Sequence, residues 1–216
     1  MRWGLFGGAF DPIHHGHLRC VEDVREQLGL DRVIFIPVAR PPHRDQGRLA
    51  PFEHRLRMVR LAIEDNPAFA FSDVENRRNG ISYSIQTVTH FLDAVPPGAE
   101  LFFIVGQDAF LAIRAWREWE RLLSLCSFVV MTRPGYERLG LDAILTPEAA
   151  ARYAYEPGAD RFQGPTGTCL YFRAVTFLDI AASNIRELVA SGRSIAYLTP
   201  ASVQRYIEEN GLYRTT

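Results

Sequence analysis

Short apolar runs rich in Val, Ile and Phe alternate along this chain with longer segments of helical period, and that alternation restricts the fold more than any other feature. Strands that read as near-continuous hydrophobic runs are buried on both faces, as in a parallel sheet covered by helices on each side. The runs predict strands at Trp3–Phe6, Val33–Val38, Phe69–Val74, Leu101–Val105, Phe128–Met131 and Leu170–Val175. Apolar residues at helical spacing predict helices over about 16–28, 52–65, 83–95, 109–124, 183–191 and 200–210. Gly29 supplies a stop for the first helix, and Pro51 and Pro200 suit helix entries. Residues 135–168, rich in Gly, Pro and Ala, read as a loop-rich excursion. The expected architecture is α/β, an open parallel sheet with helices on both faces. One domain would span 1–216, with the helical part from about 183 to 216 packed on it.

With 216 residues, 47% of them hydrophobic, the chain can bury one sizeable core. Its formal charge is −1, so no global basic field gathers nucleic acid or an anionic membrane, and any anion must be bound locally. All 24 basic side chains counted as Lys or Arg are Arg. The absence of Lys excludes a P-loop, a Schiff base and a lysyl-nucleotide intermediate, each of which needs the amine. Cys20, Cys126 and Cys169 lie far apart with no CxxC spacing, which suits reduced thiols rather than a disulfide framework or a zinc site. No apolar run approaches the roughly 18 residues of a membrane span, and the first residues lack the apolar core of a signal peptide. The expectation is a cytoplasmic protein with neither a membrane nor a nucleic-acid partner.

The strongest chemical signal is Gly7-Gly8-Ala9-Phe10-Asp11-Pro12-Ile13-His14-His15-Gly16-His17, which follows the first predicted strand and opens the first helix. In open α/β sheets, ligands sit beyond the carboxyl ends of the strands. There glycine lets the backbone approach, and free N–H groups at a helix start attract phosphate. The spacing is not GxGxxG. Instead, two imidazoles three residues apart share a face near the helix start and can converge on one anionic group. A lone histidine would read as packing, whereas the pair in a glycine-rich turn reads as function.

Gly-Gly-x-Phe-Asp-Pro-x-His-x-Gly-His resembles the signature of the HxGH nucleotidyltransferase superfamily, and the chain is similar to its bacterial nicotinate-nucleotide adenylyltransferases. Pro41-Pro42-His43-Arg44 resembles that family's PPHK, Ser82-Tyr83-Ser84 its SYT and Gly106-Gln107-Asp108 its GxD. Trp116 and Trp119 fall at its tryptophan pair, and Arg133-Pro134-Gly135 matches too. Ser183-Asn184-Ile185-Arg186 resembles the end of ISSTxIR, and Val203 through Tyr213 its closing segment. Most of the chain outside 137–175 is covered. Arg44 replaces the usual Lys, which keeps the charge on a planar fork. Ala181 and Ala182 replace serines, and Ile85-Gln86 stands where an Asp often follows SYT.

The resemblance implies a Rossmann-like sheet of nucleotidylyltransferase type and a reaction of NAD biosynthesis. AMP would move from ATP to nicotinate mononucleotide, with release of pyrophosphate. His14, His17 and Arg186 are its implied catalytic residues. Gly7, Gly8, Phe10, Gly106, Asp108 and Ser183 would also contact ATP, while Arg44, Tyr83, Ser84 and Trp116 would hold the mononucleotide.

Read without the resemblance, several of these residues keep a second role. Six Arg against two acids between Arg40 and Arg60 could form a solvated face or an anion site. Asp108 could accept from a ribose or cap a helix. Ser183 with Arg186 three residues on could surround a phosphate, although a capping Ser is commonplace. Trp116 and Trp119 could staple a helix to the core, or offer a flat face to a cationic ring for about 0.5–2 kcal/mol.

The implied mechanism is in-line attack of the 5′-phosphate on the α-phosphorus of ATP, with no residue carrying AMP covalently. Positioning and charge neutralisation then do the work, and protonated imidazoles predict a rate that falls as pH rises through their pKa in the complex. Mg²⁺ should come on the triphosphate, without a dedicated protein site. Transfer to nicotinamide mononucleotide and a non-catalytic nucleotide-binding protein are the alternatives, and a homo-oligomer is left open.

Overall fold

A computed structural model describes residues 1–42, 49–133, 135 and 140–214. Among these, eight strands form one sheet: β1 (Arg2–Gly8), β2 (Arg32–Pro37), β3 (Phe69–Phe71), β4 (Glu100–Gly106), β5 (Ser127–Thr132), β6 (Ala154–Glu156), β7 (Arg161–Gln163) and β8 (Cys169–Ala174). Their order is β3-β2-β1-β4-β5-β8-β7-β6. The six strands from β3 to β8 in that order pair in parallel, and β7 and β6 add an antiparallel edge.

The helices are α1 (His15–Leu28), α2 (Phe52–Ile63), α3 (Val74–Arg77), α4 (Ser84–Ala94), α5 (Gln107–Leu111), α6 (Trp119–Leu125), α7 (Leu141–Ile144), α8 (Pro147–Ala150), α9 (Ala182–Ala190) and α10 (Ala201–Glu209). None of the described helices is long and apolar enough to cross a membrane.

Period-two alternation along the strands builds two cores, one on each face. Along β4, Leu101, Phe103 and Val105 join the first, and Phe102 and Ile104 join the second. The first core is closed by Val88 and Phe91 of α4 and by Leu122 and Leu123 of α6. The second takes Val21 and Val24 of α1, Met58 and Val59 of α2, Ile185 of α9, and Val203 and Ile207 of α10. The expected α/β sheet with helices on both faces is therefore present. Gly29 stops α1 in left-handed backbone at φ 58°, which glycine adopts without a Cβ penalty.

Three expectations need correction. The strand expected at Phe69–Val74 ends at Phe71, because Val74 begins α3 and buries its side chain in the first core. The helix expected over 109–124 is broken into α5, a 3₁₀ turn at Ile113–Ala115 and α6. Its apolar residues Phe110, Ile113, Leu122 and Leu123 all reach the same core, which preserves the helical spacing across the break. Finally, the excursion over 135–168 contains α7, α8, β6 and β7, so it extends the sheet instead of forming a loop.

One topological fact positions the site. From β1 the chain crosses to β2 on one side, while β4 lies on the other. Connections leaving in opposite directions open a crevice at the carboxyl ends of the two central strands.

Candidate active site

Gly7 and Gly8 end β1, and Gly106 ends the neighbouring β4, with Phe6 paired to Ile104 just below. A central cleft of about 800 Å³ opens there, and Gly7, Gly8, Tyr83, Ser84 and Trp116 help to line it. A second cleft of about 510 Å³ also includes Gly106 and takes Asp108, Cys20, Arg133 and Phe177. Of the residues expected at ATP, Gly7 and Gly8 fall on the central cleft, while Gly106 is shared. Tyr83, Ser84 and Trp116 fall on the central one, and Asp108 on the second.

Neither His14 nor His17 lines either cleft; both lie on the stretch of chain that runs from one to the other. That stretch passes from Gly8 in the central cleft to Cys20 in the second, with His14 and His17 on the way. His17 and Cys20 are three apart in α1 and share a helix face. The rings of His14 and His17 stack at 3.7 Å between centroids, with 27° between their planes. Glycine at 16 accommodates this closeness, since a Cβ there would sit 3.0 Å from His14 Nδ1 and push the ring by a few tenths of an ångström. Behind the pair, the Phe10 ring meets His17 edge-on at 5.3 Å. Phe10 takes left-handed backbone (φ 47°) and is buried among Phe6 and Phe35, so its side chain is core and not cleft lining.

The His14 backbone N–H donates to His17 Nδ1 at 3.3 Å, and the His15 N–H donates to the Leu198 carbonyl at 3.1 Å. The amides expected to attract phosphate at this helix start are therefore largely used within the protein. The first of these bonds fixes the His17 tautomer. With Nδ1 accepting, the ring proton of neutral His17 sits on Nε2. Burial, followed by the charge of His15, lowers the His14 pKa to about 4. Burial, followed by His14, also holds His17 well below its ordinary value. Near pH 7 the protein by itself therefore holds both rings neutral, so the protonation expected in the complex would have to come with the bound nucleotide. His14 Nδ1 is buried without a hydrogen-bond partner among the described residues.

Side chains from distant segments pin the turn leading to these rings at every second carbonyl. Arg55 Nη1 donates to Ala9 O at 2.8 Å, Arg186 Nη1 to Asp11 O at 2.7 Å, and Thr199 Oγ1 to Ile13 O at 2.9 Å. The Asp11 carboxylate is buried and accepts from the Tyr213 hydroxyl at 2.7 Å and the Ala50 N–H at 3.3 Å, with Arg186 3.7 Å from its other oxygen. Arg55, one of the arginines with two sequence readings, is neither a solvated charge nor a cleft residue. It is 2% exposed, and its pKa is lowered by burial against the opposing pull of Asp11.

Arg186 stands beside the turn, bonded to Asp11. Ser183, however, does not cap α9. The cap is Ala181, which offers no side-chain hydrogen bond, and Ser183 is exposed on the first turn. Trp116 packs edge-on against Phe103 at 6.0 Å while lining the central cleft, and Trp119 packs into the first core. Arg44 lies outside the described residues. Among those described, no group of three or more His, Cys, Asp or Glu side chains assembles a metal site. The parts that Asp11, Arg55 and Tyr213 play at the turn were not foreseen from sequence, although Asp11 and Tyr213 lie inside motifs that signalled the family; Glu75 and Arg117, which also line the central cleft, were not singled out.

The cytidylyltransferase-like family profile matches residues 5–192. The Geotalea uraniireducens protein described as "Probable nicotinate-nucleotide adenylyltransferase" is 48% identical over 213 residues, 99% of this chain and 98% of that one. A Geobacter sulfurreducens protein with the same description is 45% identical over the same shares of both chains. Among solved structures, the Plasmodium falciparum nicotinic acid mononucleotide adenylyltransferase complexed with NaAD superposes with a TM-score of 0.73 at 17% identity. That match covers 98% of this chain and 97% of the other, and it shows the shared fold. By profile and by full-length identity, the chain belongs to the cytidylyltransferase-like family and, within it, to the nicotinate-nucleotide adenylyltransferases.

Proposed function

We propose that this protein transfers AMP from ATP to nicotinate mononucleotide, giving nicotinate adenine dinucleotide and pyrophosphate in NAD biosynthesis. The observation that carries this reading is the pair of clefts meeting at Gly106, with the stacked imidazoles on the chain that joins them. In the central cleft, the Trp116 face can take the pyridinium ring, while Tyr83 and Ser84 can donate to its carboxylate. In the second, Asp108 stands beyond the end of β4, where a ribose hydroxyl can donate to it. Neutral His17 carries its ring proton on Nε2, which would donate to charge developing on the transferred phosphoryl group. Arg186, held at the turn by Asp11, is suited to the leaving pyrophosphate.

Transfer is direct, because the 5′-phosphate attacks the α-phosphorus and no side chain takes AMP. Mg²⁺ would arrive on the triphosphate, held by phosphate oxygens and water, and would neutralise its charge. We place the enzyme in the cytoplasm and treat 1–216 as one catalytic unit. The packing of α9 and α10 in the same core as α1 and α2 supports the latter.

The test supplies ATP and Mg²⁺ with each mononucleotide in parallel and follows pyrophosphate release. Product from the nicotinate form is expected, and product from the amide form alone would overturn the substrate reading. His17→Ala should lower kcat by about 10²–10³ with little change in Tm. A modest loss that tracks a lowered Tm would make the ring a packing element.

A further inference from the structure

We propose that Arg117 selects a carboxylate-bearing pyridine ring over its amide in the central cleft, an inference that rests on reading this cleft as the mononucleotide site. Among the described residues lining the cleft, Arg117 brings the one cationic side chain and Glu75 the one anionic. The two are not in equivalent situations. Glu75 is buried and already engaged. It accepts from the Thr87 hydroxyl at 2.8 Å and the Ala39 N–H at 3.4 Å, with Arg78 3.9 Å away. Arg117 is exposed over half of its side chain and stands with Cζ 4.8 Å from the centroid of the Tyr83 ring. The ion pair described for it is a 3.6 Å approach to Glu118. Glu118 in turn takes a shorter bond, 2.8 Å, from Arg121. The Arg117 fork is therefore weakly committed, and it lies over the residue expected at the ring carboxylate.

Trp116 leaves its 3₁₀ turn extended, and Glu118 takes left-handed backbone at φ 53° before α6 begins, so Trp116 and Arg117 lie in the break between the two helical segments, and both line the cleft.

Substrate polarity completes the argument. A nicotinate mononucleotide carries phosphate at one end and carboxylate at the other. If its phosphate approaches the Gly7–Gly8 turn, its ring lies towards Tyr83, Trp116 and Arg117. There the acid and the amide differ by one full charge. Backbone N–H and hydroxyl donors can serve either a carboxylate or an amide oxygen, so they discriminate weakly. A guanidinium gives a carboxylate two parallel charge-assisted bonds. An amide offers it one acceptor and turns an NH₂ donor towards a cation.

The experiment compares both mononucleotides in the full-length protein, by kcat/KM with ATP and Mg²⁺ and by calorimetric binding of each mononucleotide alone. Arg117→Gln should lower both measures for the nicotinate form by about tenfold to a hundredfold, the size of a lost charge-assisted bond. The nicotinamide form should change by less than about twofold, because its oxygen loses only one of several neutral-strength contacts. Arg117→Lys should recover part of the preference through its point charge, and Arg117→Glu should abolish it. An acid-to-amide ratio that stays constant in Arg117→Gln overturns the proposal, whether both substrates hold or both fall together. If the unmodified protein uses neither mononucleotide, the reading of the cleft itself fails. If it prefers the acid and Arg117→Gln keeps that preference, only the role of Arg117 fails.

Discussion

Binding of a triphosphate to the histidine pair should draw a proton from solution, and the structure sets how much. Desolvation holds His14 at about 4 against an ordinary 6.5, a depression worth about 3 kcal/mol. A single phosphate charge about 4 Å from the ring contributes about 4 kcal/mol at an effective dielectric of about 20, enough to offset that depression. A ring restored to its ordinary value would be about 90% protonated at pH 5.5, whereas the same ring in the free protein would be about 3% protonated. Uptake is thus about 0.9 proton at pH 5.5 and about 0.1 at pH 7.5. The sign follows directly: binding raises the pKa, so affinity strengthens as pH falls, by roughly tenfold between pH 7.5 and 5.5. Calorimetry of a non-hydrolysable ATP analogue in two buffers of different ionisation enthalpy measures this number. The nucleotide's own titration is common to wild type and His14→Asn, so the difference between them isolates the imidazole. Equal uptake by the two proteins at pH 5.5 would refute the reasoning.

Two further outcomes follow from the buried network behind the turn. Arg55→Met removes the cation that faces the Asp11 carboxylate and bonds to the Ala9 and Ala50 carbonyls at 2.8 and 2.9 Å. Breaking one side of such a pairing costs about 3–5 kcal/mol, or roughly 6–20 °C in Tm for a protein of this length, and thermal unfolding at pH 7 that moves by less than about 2 °C would contradict it. Tyr213→Phe deletes only the hydroxyl that donates to Asp11, which in turn positions Arg186. Steady-state kinetics should show the KM for ATP rising while that for the mononucleotide holds, and equal changes in both would argue against a link through Arg186.

The inner parallel strands were legible because they are buried on both faces, so Val33–Ile36 and Leu101–Val105 read as unbroken apolar runs. The segment from Gln107 to Leu125 was not, because its two short helices and the turn between them fill one core at helical spacing. The breaks fall after Leu111, where the chain tightens into the 3₁₀ turn, and at Trp116 to Glu118, where the backbone is extended and then left-handed at a residue with no sequence signature for that conformation. Strands of three residues and helices of four, as in α7, α8, β6 and β7, are too short to display a period. For the site, the HxGH pattern exposed the imidazoles. A charged residue destined for burial, by contrast, carries no mark of its own in sequence. Arg55 did leave a trace: it lies on the same stripe as Met58, Val59 and Ile63, all buried, at spacings of three, four and eight.

That buried network raises a question of cost. An aspartate 1% exposed, with one oxygen unbonded, and an arginine 2% exposed are expensive to desolvate. Apolar residues of similar volume would often be at least as stable. The return is in geometry. Arg55 comes from the segment after β2, Arg186 from α9, Thr199 from the entry to α10 and Tyr213 from the end of the chain. Each holds a different point of Ala9–Ile13, so the turn can shift only if several segments shift with it. Transition-state donors are effective when they need no reorganisation at the moment of reaction. Polar pins from four parts of the chain supply that fixity to His14 and His17, whereas an apolar core would hold the turn's side chains and leave its carbonyls free to move.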